Sequence, residues 1–370
     1  MEFSSGSSKI EIRISFKFNK LIEICFLLLF SFTLSNCSKT TLEDKYKDNS
    51  EKTILSTSIT PTSTTKTVSP ELPPIASKPT QPGSIVSFGK GDPRKISFSP
   101  DGKILAIAST NAIQFYDSEK YQIIHKIELN ADFIDMAYSA DGKKLAIATL
   151  NDFIYFWEGN EISQGPRTNA TNNWVTKIVF SPNNLFLAIG YSDGEIILWD
   201  INKQEKIYSL KFNDSMIESL AFSSDSITLV STSDDNIIGW NVATGKNSWI
   251  IKEDYGIVLS IGFSPDGKYL LTSSTAACTN VYNTKNQKLV KNLECFDTEY
   301  FDAIFSSKGK YIAWINTYGA FFLWDGRNMK RMELIDRPAD VRIFAFTPNE
   351  KSIIFANSEG NVSVWNIKFN

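Results

Sequence analysis

The sequence predicts an all-β fold made of seven equivalent units, and two observations predict it. An aromatic residue followed by a Ser-Pro-Asp-Gly-like turn recurs at Phe98 (FSPDGK), Tyr138 (YSADGK), Phe180 (FSPNN), Phe222 (FSSDS), Phe263 (FSPDGK), Phe305 (FSSKGK) and Phe346 (FTPNE), in steps of 40, 42, 42, 41, 42 and 41 residues. Each is followed 18 or 19 residues later by a second aromatic: Tyr116, Trp157, Trp199, Trp240, Tyr282, Trp324 and Trp365. Short apolar runs flank the turns, such as residues 95–98 (KISF) and 104–107 (ILAI), so each Asp-Gly reads as a hairpin between two strands. The residue before each aromatic is mostly small (Ser97, Ala137, Val179, Ala221, Gly262, Ile304, Ala345), which suits an innermost strand pressed between neighbouring units.

Several of the second aromatics stand in the tripeptides LWD, GWN and VWN, and with this spacing residues 84–370 resemble the WD40-repeat proteins. The resemblance implies a seven-bladed β-propeller with four antiparallel strands per blade around a central channel. The last repeat stops after a third strand (VSVWNI, 362–367), whereas residues 85–88 (IVSF) resemble the fourth strand of an interior repeat (IYSL, 207–210). The N-terminal strand is therefore expected to close the last blade, pairing near Trp365 and leaving no open inner edge. The Gly-His dipeptide usual in the family is missing from every repeat, so its buried Asp-His-Ser/Thr-Trp network is not expected.

Ahead of the repeats lie two further regions. In residues 1–36, Lys17 and Lys20 lead into an apolar run (24–34) too short to span a bilayer. The Leu34-Ser35-Asn36-Cys37 sequence that follows resembles the lipobox of bacterial lipoproteins, which implies cleavage before Cys37 and acylation of its sulfur. The expected location is then the bacterial cell envelope, with the chain held to a membrane by a lipid anchor. In residues 38–83, Ser, Thr and Pro make up 23 of 46 positions, a composition that cannot bury enough apolar surface to offset its ordering entropy. Residues 37–83 read as a tether.

Composition narrows the chemistry. The formal charge is −3, from 38 basic and 41 acidic side chains, with no long block of either sign, which argues against a nucleic-acid partner. One histidine, His125, and four cysteines (Cys25, Cys37, Cys278, Cys295) with no C-x-x-C pair assemble no usual metal site. Residues 262–268 (GFSPDGK) match the start of a phosphate-binding loop, but Tyr269 replaces the required Ser or Thr and no helix follows. With a single histidine in the chain, no serine–histidine pair can be relied on, and no catalytic residue and no cofactor is implied. Cys278 opens a third strand and Cys295 closes the fourth, on the same face. An oxidising envelope would permit a disulfide there, and two free thiols would leave the same sequence.

Binding is left as the function the sequence favours: a monomeric, non-catalytic scaffold for a protein or peptide partner in the envelope. Six residues before the anchors stand Asp92, Asp132, Trp174, Met216, Ile257, Glu299 and Asp340, so three successive blades are apolar at one loop position. Tyr255, Phe296 and Tyr300 lie in the same class of loop, and in WD40 proteins these loops share one face around the channel mouth. Trp174, Met216, Tyr255, Ile257, Phe296 and Tyr300 form the candidate partner-binding face. A propeller-type hydrolase or lactonase, and a glycan-binding or adhesion lipoprotein using Trp174 beside Asn172 and Asn173, are the rival readings.

Overall fold

The computed structural model describes residues 85–368 except 91, 130, 151–152, 160, 168–172, 254–255, 276–277, 296–299 and 333–337. Twenty-eight strands fall into seven four-stranded antiparallel sheets. Six sheets run in simple chain order, as in residues 93–128, where Pro93–Phe98, Ile104–Ser109, Ala112–Asp117 and Ile123–Glu128 pair in succession. Innermost strands touch their counterparts in neighbouring blades, with Pro93–Phe98 against both Phe133–Tyr138 and Val341–Phe346, so the array returns on itself as a seven-bladed β-propeller.

The seventh blade is closed by the chain's first described strand. Ile85–Lys90 pairs antiparallel with Asn361–Asn366, with Ile85 opposite Trp365, Val86 opposite Val364 and Lys90 opposite Asn361. A register shift between Ser87 and Gly89 lets this outermost strand follow the twist of the blade.

Why the two aromatics of each repeat are spaced as they are is visible in the core. Among the described residues there are seven hydrophobic clusters, one at each junction between successive blades. Every cluster receives both repeat aromatics of the later blade: Phe222 and Trp240 pack on Leu198 and Leu210 of the third blade, and Phe346 and Trp365 on Phe321 and Leu323 of the sixth. The second aromatics of the repeats are packing elements, and Trp365 is fully buried. His125 joins them, stacked 5.8 Å from Trp157 on the outer strand of the first blade.

The anchor turns explain the Ser-Pro-Asp-Gly motif. Ser99 donates from Oγ to Asp101 (2.6 Å) and accepts from the Ile104 amide, while Gly102 turns the chain at φ +73°. Where glycine is missing, Asn184, Ser226 and Glu350 adopt the same left-handed conformation. Each then accepts a hydrogen bond from a backbone amide of the preceding blade: Asp141 (3.3 Å), Asn183 (3.0 Å) and Lys308 (2.7 Å) respectively.

Two sequence expectations change. The small residues before the anchors are half-buried, and a Cβ built on Gly262 meets nothing within 4 Å, so close packing does not demand glycine there. The absent histidine network has a substitute in one blade, described below. In the fifth blade Cys278 sits directly opposite Cys295 in the register and is disulfide-bonded.

Candidate binding face

One face of the ring is built from the loops that enter the innermost strands and the turns between second and third strands. In blades one and seven these loops hold themselves together through carboxylates. Asp92 accepts from Thr110 Oγ1 (2.6 Å) and pairs with Arg94 (3.0 Å); Asp340 accepts from the Ser358 hydroxyl and pairs with Arg342 (3.5 Å). In blades three and five the hydrogen bond is reversed. Ser192 Oγ accepts from the Trp174 amide (3.2 Å) and Thr275 Oγ1 from the Ile257 amide (2.8 Å). The turn hydroxyl thus binds backbone, and the side chain at the loop position is released from any cross-link. Trp174 uses that freedom: 48% of it is exposed, although a tryptophan side chain ordinarily gains much from burial. Met216 and Ile257 are half-buried at the equivalent positions of the next two blades. The Thr176 hydroxyl, donating to the Ile217 carbonyl (2.7 Å), ties the third blade's innermost strand to the loop entering the fourth.

The loop entering the fifth blade is fixed from below by Glu253. This buried residue accepts from Thr272 Oγ1 (3.0 Å), Asn280 Nδ2 (2.8 Å) and the Tyr282 hydroxyl (2.8 Å), which belong to the second and third strands of the blade. A carboxyl group here joins loop, second strand and repeat aromatic, and in the fourth blade Trp240 Nε1 donates directly to Ser231 Oγ (2.9 Å).

Inside the face, the innermost strands carry a belt of polar groups around the channel. Buried Asp135 binds Lys95 of the first blade and accepts from the Ile178 amide of the third (2.9 Å); Ser219 Oγ accepts from the Ile261 amide (3.2 Å), and Ser260 donates to Asp302 (2.9 Å). Above the belt, Glu218 is pushed up to about 7 by desolvation, against the pull of Lys177 and with the help of Asp234. Among the described residues no three His, Cys, Asp or Glu side chains gather as a metal site.

Of the six residues named from sequence, Trp174, Met216 and Ile257 therefore share this face. Tyr300 opens the sixth blade's innermost strand, its side chain being outside the description, and Tyr255 and Phe296 lie outside the described residues, as does Cys37. Three exposed apolar residues of the face escaped the sequence reading: Leu150, Phe212 and Tyr318, the last 75% exposed. Leu150 and Tyr318 lie in the turns between second and third strands, whose register across repeats would have marked them, and Phe212 lies in the loop entering the fourth blade.

The fold is that of a seven-bladed β-propeller. The description "WD domain, G-beta repeat" matches residues 246–283, and that of the anaphase-promoting complex subunit 4 WD40 domain matches residues 146–225, so these two segments are similar to WD40 repeats. It is 29% identical over 110 residues to human echinoderm microtubule-associated protein-like 4, covering 28% of this chain and 11% of that protein. It is 26% identical over 129 residues to the Xenopus laevis WD repeat and HMG-box DNA-binding protein 1, covering 32% of this chain and 11% of that one. The chain thus spans about a tenth of the length of these relatives. Among solved structures, the Myceliophteria thermophila Cps50 (Swd1) β-propeller domain superposes with a TM-score of 0.67 at 14% identity, over 76% of this chain and 98% of that domain.

Proposed function

We propose that this protein is a non-catalytic binding scaffold, held to a bacterial envelope membrane by a lipid on Cys37, that presents its loop face to a protein or peptide partner. The observation that carries the reading is the exposed Trp174, held out by a backbone hydrogen bond beside Met216 and Ile257 in successive blades. Exposed aromatic anchors next to smaller apolar side chains are what partner surfaces supply at their energetic centre. WD40 propellers in general bind proteins, and the matched relatives are much longer proteins, which fits a module for recruitment.

The double variant Trp174→Ser/Met216→Ser tests this. It is expected to keep its Tm within about 3 °C, since neither side chain is in a blade cluster, while losing a partner crosslinked to the unaltered protein in intact envelopes. A drop in Tm of 10 °C or more would mean that these side chains serve packing. For the anchor, intact mass should show acyl chains on the mature N-terminus, and Cys37→Ser should remove them and release the protein from membranes.

A further inference from the structure

The opposite face of the propeller carries a charge asymmetry that the linear sequence hides. Here the anchor hairpins and the turns between third and fourth strands emerge. In blades one, two and five the lysine after each hairpin is neutralised by the aspartate of its own turn: Lys103 by Asp101, Lys143 by Asp141, Lys268 by Asp266. In blades six and seven Lys310 and Lys351 occupy the same position, but the aspartate is replaced by Lys308 and Asn349. The neighbouring turn of blade six adds Arg327 and Lys330.

The turns that carry these side chains adjoin one another. The two hairpins are joined by Ser307 Oγ donating to the Pro348 carbonyl (3.3 Å) and by the Lys308 amide donating to Glu350 (2.7 Å), and the Gly326 amide donates to the Lys310 carbonyl (2.8 Å). Lys308, Lys310, Arg327, Lys330 and Lys351 are all exposed, and none has an ion-pair partner among the described residues. Two carboxyls of these turns are engaged by backbone amides: Glu350 is buried on the Lys308 amide, and Asp325 caps the amides of Arg327 and Asn328. Elsewhere on the face, where blades three and four depart from lysine, they present Leu185 (42% exposed) and Ile227 (56% exposed).

The place where the chain enters the ring is the second observation. Ile85 lies opposite Trp365, and the Ile367 amide donates to the Lys351 carbonyl (3.0 Å), so the strand Ile85–Lys90 starts at the same end of blade seven as Lys351. Whatever precedes Ile85 joins the propeller on the basic face. We propose that this face, centred on blades six and seven, docks on the anionic phosphate headgroups of the bilayer that carries the anchor, with Leu185 and Ile227 reaching the interface. The loop face with Trp174 is then turned outward. The proposal rests on the lipid-anchor reading for its choice of membrane over a soluble polyanion; the charge, the apolar pair and the point of entry are independent of it. A polybasic surface close to an anionic bilayer gains affinity with each cation, and loses it as salt screens the field.

The test is co-sedimentation of the full chain with vesicles of phosphatidylglycerol and phosphatidylcholine, or of phosphatidylcholine alone, with the state of Cys37 read by intact mass. The expected result is at least tenfold stronger partitioning to the anionic vesicles, falling to near parity in Lys308→Glu/Lys310→Glu/Lys351→Glu. The triple variant Lys103→Glu/Lys143→Glu/Lys268→Glu, with the same change in net charge, should keep the preference within about threefold. Equal losses in the two triples, or no anionic preference in the unaltered chain, would overturn the proposal. So would a short oligonucleotide that binds the blade-six and blade-seven lysines when the vesicles do not. An unacylated Cys37 together with a retained preference would remove the anchor reading and leave the docking face standing.

Discussion

Glu253 shows how one side chain can stand in for a missing network. Three donors converge on its carboxyl from two strands, and all four residues are buried. Removing it strands those donors away from water, at a cost of about 1 kcal/mol or more each. Glu253→Ala is therefore expected to lose about 3 kcal/mol and roughly 8 °C in Tm, while Glu253→Gln, which keeps an acceptor oxygen, loses about a third of that; thermal unfolding followed by circular dichroism measures both. Glu218 behaves in the opposite sense. Its folded pKa, about 7, lies above the usual glutamate value, so its contribution favours the folded state fully below about pH 4.5 and is lost as pH rises through 7. Glu218→Gln should flatten that dependence and stabilise the protein at pH 8 relative to pH 5. A parallel pH profile in the variant would exclude this residue as the source.

At the scale of the strand, the closing segment is the element that matters most. Ile85–Lys90 covers the outer edge of a strand that contains the fully buried Trp365 and Val364, and nothing else among the described residues pairs there. Deleting residues 85–90 is expected to lower Tm by more than 10 °C and to make the protein prone to associate through the bared edge, seen as concentration-dependent oligomers in light scattering. An unchanged, monodisperse protein would mean that the seventh blade stands without its fourth strand. The hairpins show a second economy: Asn184, Ser226 and Glu350 accept an unfavourable backbone conformation and in return bind the adjacent blade. From sequence these turns looked like weakened copies of Ser-Pro-Asp-Gly, because a contact between blades has no trace within a single repeat.

For the molecule as a whole, the repeat count, the strand order and the role of the first strand were legible because a 41-residue period and a missing final strand admit one ring. The loop position holding Trp174, Met216 and Ile257 was legible for the same reason: it is a departure at a fixed register. Less could be read where function depends on residues far apart in sequence. Lys308, Arg327 and Lys351 belong to three turns that only the ring brings together, and the overall charge of −3 masks their excess. Glu253 was invisible because the buried network was sought through a histidine, and a carboxyl takes that place.

The pairing of Ile85 with Trp365 also sets a schedule for the nascent chain. About 280 residues separate the two partners, so Ile85–Lys90 must wait with its pairing edge bare until Asn361–Asn366 has been made. Ring closure is then the final long-range event of folding, and the slowest step of maturation should be the capture of the strand Ile85–Lys90 by Asn361–Asn366.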